Sequence, residues 1–213
     1  MREKVDFKKL NMKQKTGYIW DYYKLPILAG LLVLILSIYF IGEYVKNKEP
    51  VATLVAVNAE PGRGFADTDF SDFIEEYDYN PAKQEVVVDT GYTLDSSNPT
   101  KDPYNYQALI TVVSAGAADV LSADEELFVY LAEAGGCADL KNFLSKEELA
   151  ERKEDIVYVT IPGTEEQYAA GIRVGGDSWF GENGFYKDGC IVGIASGTIH
   201  EEGAARLLKY LLF

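Results

Sequence analysis

The chain has 213 residues, a formal charge of −14, 47% hydrophobic residues and 25% charged ones. That length predicts one main domain with an additional segment. The charge is uneven: residues 1–24 carry seven Lys/Arg against three Asp/Glu, the remainder 13 against 31. So acidic a body argues against nucleic acid as partner, because a phosphate backbone is held by clustered Lys/Arg.

Leu25 to Gly42 reads LPILAGLLVLILSIYFIG, a run without a single charge. Extended to Val45, the run reaches about 30 Å at ~1.5 Å per residue, enough for a bilayer core. Tyr18, Trp20, Tyr22 and Tyr23 flank it on one side, and Tyr39, Phe40 and Tyr44 on the other. Such aromatics favour the two membrane interfaces. Pro26 falls in the first turn of this run, where its missing N–H costs little. A core helix is the alternative, but few soluble helices are apolar all round for this length. The following EYVKNKEP has no small-x-small cleavage pattern, which predicts an uncleaved signal anchor. Only Lys46 and Lys48 follow closely, so the positive-inside rule puts the N-terminus in the cytoplasm. The predicted domains are a basic cytoplasmic tail (1–24), a transmembrane helix (25–45), a linker (46–50) and an extracytoplasmic domain (51–213) in the cell membrane.

Val51–Ala59 reads as a buried strand, Asp69–Tyr79 as a short helix, and QEVVVDTGYTL as a second strand centred on Val86–Val88. A polar loop with two prolines leads into a helix over YQALITVVSAGA, whose β-branched residues lower helix preference. Next come a strand over Asp119–Leu121, a helix over Ala123–Ala134 and a glycine stop at Gly135-Gly136. A short helix in KNFLSKEELAERKED precedes three strands, IVYVTI, YAAGIRV and CIVGIAS. A terminal helix carries Leu207, Leu208, Leu211 and Leu212 on its apolar face. Capping boxes are predicted at Ser122-x-x-Glu125, Ser145-x-x-Glu148 and Thr198-x-x-Glu201. Alternating strands and helices predict an α/β domain with a mostly parallel sheet.

Both cysteines, Cys137 and Cys190, fall in the predicted outer domain, where an oxidising compartment permits a disulfide. The alternative is two small buried hydrophobes. Two Cys and one His, His200, are too few for a zinc site. Asp67, Asp69 and Ser71 have the spacing of positions 1, 3 and 5 of a calcium loop. However, Asp72 and Asp78 replace the required glycine and glutamate, so the run reads as an acidic helix start and no metal is expected. RVGGDSW contains Gly-Asp-Ser, but a serine hydrolase built on Ser178 would have only His200 as base and no Asp-x-x-His partner. The chain holds no P-loop and no G-x-G-x-x-G; no cofactor and no catalytic residue are predicted. Tyr92, Tyr104 and Tyr106, together with Trp179 and Phe180 of the loop DSWFGENGFYKDG, are the candidate ligand-binding residues, since aromatics at loop ends line binding sites. The alternative for each is a wall of the core.

Residues 106–148, with a helix, a small-residue turn, Asp119-Val120, a helix, Gly135/Gly136 and Asp139-Leu140, resemble the extracellular solute-binding proteins of bacterial ABC importers. So does CIVGIASGTIHEEGAARLLKYLL, where Ala204, Leu207, Tyr210 and Leu211 take the places of the family's terminal helix. The resemblance implies one lobe of a periplasmic binding protein-like fold. The stretch between the Asp-Leu region and the final strand is too short for a second lobe. Three functions are weighed. The leading expectation is a non-enzymatic, membrane-anchored binding or accessory domain with a protein partner at the cell surface. Capture of a small solute, a sugar or peptide, for an importer or sensor comes second. An enzyme of unknown chemistry comes third.

Overall fold

In a computed structural model, residues 11–46, 48–60, 70–161 and 163–213 are described. They form two units, divided after Lys48.

The first unit is one helix, α1 (Met12–Lys46), with Pro26 inside it. Its side chains from Tyr23 to Tyr39 are all exposed, Leu25 at 75% and Leu31 at 56% among them. Among the described residues no helix is long and apolar enough to cross a membrane.

The second unit is an α/β domain. Its elements are β1 (Glu49–Ala56), α2 (Ser71–Glu76), β2 (Gln84–Asp89), α3 (Pro103–Ser114), β3 (Val120–Ala123), α4 (Glu125–Glu133), α5 (Lys146–Glu151), β4 (Ile156–Thr160), β5 (Gln167–Val174), α6 (Trp179–Glu182), β6 (Cys190–Ile194) and α7 (Glu201–Leu212). The six strands lie in the order β2-β1-β3-β6-β5-β4. β1 runs parallel to β2 and to β3, while β3–β6, β6–β5 and β5–β4 are antiparallel. The sheet is therefore mixed, which corrects the expectation of a mostly parallel one. The physical reason lies in the connection between β4 and β5: residues 161–166 are too few for a parallel crossover, which takes a dozen or more, so the two strands form a hairpin.

Side chains alternate between the faces of the sheet. Ala52, Leu54 and Ala56 of β1 and Cys190, Val192 and Ile194 of β6 join one hydrophobic cluster with Phe73 of α2, Phe180 of α6 and Leu207, Leu208 and Leu211 of α7. Val55 of β1 and Ile191 of β6 join a second cluster with Leu109 and Val113 of α3 and Leu127, Phe128 and Leu131 of α4. Helices thus cover both faces. Gly171 and Gly193 make room for α4: a Cβ on Gly171 would come within 2.7 Å of the Phe128 ring, and one on Gly193 within 2.9 Å.

The helix starts depart from the sequence pattern in two of three places. Ser145 caps α5 in a complete capping box with Glu148. Ser122, however, is a buried strand residue, and Asp124 caps α4 by accepting from Leu127 N–H. Thr198 is turned to Asp119 instead, and α7 starts at His200 without a side-chain cap.

Candidate functional site

In open α/β sheets, ligands sit beyond the carboxyl ends of the strands, where neighbouring connections leave in opposite directions. Here that point lies between β1 and β3, and the chain's own polar groups close it. Asn58, in the left-handed region at φ 57°, donates from Nδ2 to Leu94 O (2.9 Å), Ser96 Oγ (3.2 Å) and Asp124 Oδ2 (3.0 Å). Its Oδ1 accepts from Leu94 N–H at 2.7 Å. Asn is among the few non-glycine residues that tolerate this backbone. Ser96 Oγ donates to Asp124 Oδ2 at 2.8 Å. From the other side, the buried Tyr186 hydroxyl lies 2.7 Å from Val57 O and 3.0 Å from Ser122 O. Burial pushes the Tyr186 phenol well above its ordinary value, so it stays a neutral donor. Every buried side-chain nitrogen and oxygen among the described residues has a partner.

Beside this closed point, at the end of β5, a cleft of about 530 Å³ is lined by Arg152, Asp155, Arg173, Asp177, Ser178 and Trp179, with residues of the end of α7. Its cations are engaged. Arg173 pairs with Glu125 at 2.5 Å, and Arg152 contacts Asp155, the Leu212 carbonyl and the Phe213 ring.

At the opposite end of the central strands, Asp119 is fully buried. It accepts from Thr53 N–H (2.7 Å) and the Thr198 hydroxyl (2.5 Å), and lies 3.1 Å from His200 Nδ1. This carboxylate pins β1, β3 and the turn before α7 together. His200 also lines a hollow of about 330 Å³ with Glu49, Tyr79, Gln84, Glu201 and Glu202.

The five aromatic candidates do not converge. Tyr92 packs on the α3–α4 side, its phenol raised by burial and then by Asp89. Tyr104 is 81% exposed on α3. Tyr106 meets Tyr130 edge-to-face at 6.2 Å. Trp179 and Phe180 belong to the other cluster. Trp179 packs against Phe70 and Phe185, each at 5.3 Å, with the rings inclined at 32° and 35°, so its ring is taken up in packing. Phe180 is fully buried.

Ser178 donates to Gly175 O and sits just past β5; His200 lies beyond the far end of β6. The length of β6 separates them, roughly 15 Å at ~3.4 Å per residue, so they form no catalytic pair. Cys137 and Cys190 are free thiols in different clusters, on opposite faces of the sheet. Burial raises both, Cys137 to about 12. Asp67 and Asp69 lie outside the described residues; Ser71 opens α2. No metal-binding group of His, Cys, Asp or Glu occurs among the described residues.

Sequence reasoning missed the Asn58–Ser96–Asp124 closure and the Asp119 anchor. The signals were an Asn ending a hydrophobic strand and an Asp opening one, positions where a side chain must finish the backbone pairing.

No protein-family model, no curated protein and no solved structure matches the chain.

Proposed function

We propose that the chain is a non-enzymatic, membrane-anchored binding or accessory domain, with residues 51–213 extracytoplasmic and acting through protein contacts. The observation that carries this reading is the closed point between β1 and β3. A solute entering there has to displace Asn58, Ser96, Asp124 and Tyr186 from hydrogen bonds they already make, at about 1–3 kcal/mol for each group left unpaired. The anchor is supported by α1, whose apolar side chains from Leu25 to Tyr39 are exposed. That exposure needs an apolar cover, and the uncharged run continues in sequence to Gly42. The resemblance to one lobe of a solute-binding protein agrees with Ala204, Leu207 and Leu211 being buried on α7.

The test is native mass spectrometry of the full chain released from membranes in detergent, with and without prior cross-linking. The expected result is a chain free of stoichiometric small molecules that gains a protein cross-link. A stoichiometric solute adduct overturns the reading and favours solute capture in the 530 Å³ cleft, an open concavity of mixed charge.

A further inference from the structure

Strand β4 ends the sheet on one side. Its inner hydrogen bonds are fixed by the ends of the hairpin: Arg173 N–H donates to Asp155 O, and Ile161 N–H donates to Glu166 O. Alternation in an antiparallel pair then turns residues 155, 157, 159 and 161 toward β5. The N–H and C=O groups of Ile156, Tyr158 and Thr160 face outward, and among the described residues no backbone bond outside the sheet meets them. From Ile156 to Ile161 the sequence IVYVTI holds no charge. Val157 and Val159 are buried over α4, while Tyr158 on the other face is 50% exposed.

Open edges are usually blunted by charge, proline, a bulge or a covering helix. The other edge strand, β2, carries Glu85 and Asp89 within six residues. β4 has no such charge, and the one irregularity in its pairing is the extra residue on β5 between Ala169 and Gly171. Its far end bears the exposed Glu165 and Glu166, whereas Arg152 and Lys153 offset Glu154 and Asp155 at its start.

We propose that the outer edge of β4 is a strand-addition site for an extended segment of a partner protein. The segment runs antiparallel to β4, is uncharged and β-branched through its middle, and carries Lys or Arg at its N-terminal end, beside Glu165 and Glu166. Main-chain bonds to Ile156, Tyr158 and Thr160 supply the affinity and the acidic pair sets the direction. The proposal rests on the reading of a protein-contact domain and names its surface.

The probe is a synthetic peptide, Lys-Arg-Thr-Val-Thr-Val-Thr, with Glu-Glu-Thr-Val-Thr-Val-Thr as its charge-reversed control. Both are added to the full chain in detergent, with amide hydrogen exchange as the readout. The basic peptide slows exchange at Ile156, Tyr158 and Thr160 at least about tenfold, and the acidic one does not. Tyr158→Pro removes only an outward N–H, which an edge strand tolerates, and abolishes the protection. The exposed Tyr158→Lys weakens binding of the basic peptide, and Glu165→Lys with Glu166→Lys reverses the preference. Equal protection by both peptides, no protection by either, or protection surviving in Tyr158→Pro overturns the proposal. A doubled mass lost in Tyr158→Pro also overturns it, assigning the edge to a second copy. Failure of the peptides while the protein cross-link persists spares the contact reading; a solute adduct removes that reading itself.

Discussion

Asn58 and Asp124, each just past the carboxyl end of a central parallel strand, are hydrogen-bonded to one another at 3.0 Å. The link ties the exits of β1 and β3 together. It also uses the same Asp124 carboxylate that caps α4 through Leu127 N–H. One side chain thus fixes a helix start and fills the place where open sheets admit a ligand.

Asp124→Ala removes the cap and strips Asn58 and Ser96 of an acceptor. The expected loss is about 2–3 kcal/mol, the sum of a helix cap and an orphaned amide, read from urea unfolding midpoints. Asp124→Asn keeps the cap acceptor and loses less. If the alanine variant costs under ~0.5 kcal/mol, the size of an ordinary surface substitution, the network is not a structural tie.

Tyr186→Phe tests the other side of the closure. It leaves the ring in place among Phe180 and its neighbours and withdraws the hydroxyl from the carbonyls of Val57 and Ser122. A loss of about 1–3 kcal/mol is expected, with no change in unfolding slope. A neutral result means that water replaces the hydroxyl and the crevice opens more easily than its geometry implies.

The two thiols offer a test by labelling. Burial disfavours the thiolate at both positions, and the thiolate is the reactive form. Native chain therefore resists alkylation at neutral pH and takes up two labels in urea without a reductant. No label in urea indicates a bond between the two cysteines.

Glu148 predicts an acid-side effect. Partial burial alone raises its carboxyl, but the Ser145 backbone N–H and the Lys209 ammonium at 2.9 Å win and leave it below the ordinary 4.5. A carboxyl lowered in the folded state contributes stability above its unfolded value and loses it as pH falls through the folded one. Glu148→Gln therefore flattens the fall in thermal midpoint below about pH 4.5 and leaves the shape of the curve above it unchanged. Parallel curves for the two proteins throughout that range show that the α5–α7 link carries no such weight.

Much of the frame is legible in the sequence. The strands beginning near Val51, Gln84 and Ile156 stand near their predicted places, because short apolar runs rich in β-branched residues, flanked by polar ones, suit little else. The helix over Pro103–Ser114 forms in spite of Thr111, Val112 and Val113. The Asp102 carboxylate accepts from two backbone N–H groups at its start, and Leu109 and Val113 are buried under it, so packing overrides propensity. Strand direction is not written in any local run. β6 finds β3 and β5 through pairings such as Val120 with Ile194 and Val174 with Cys190, which are distant in sequence, although the short turn after Ile161 already requires a hairpin. The candidate site was less legible. Aromatics near loops look alike whether they face a ligand or, like Trp179, other rings.

The position of β6 bears on how such a chain comes into being. β1, β2 and β3 form one block and β4–β5 another, and the strand that joins them is the last in sequence. Its seat between β3 and β5 lies empty until residues 190–194 are made, and α7, which packs on β1, follows later still. Nucleation can begin early, but closure waits on the stretch from Cys190 to Phe213. Non-local pairing of that kind folds slowly. A ribosome-bound chain is therefore held in an open, two-block state, with both flanks of the missing strand available to chaperones until residues 190–194 have been made.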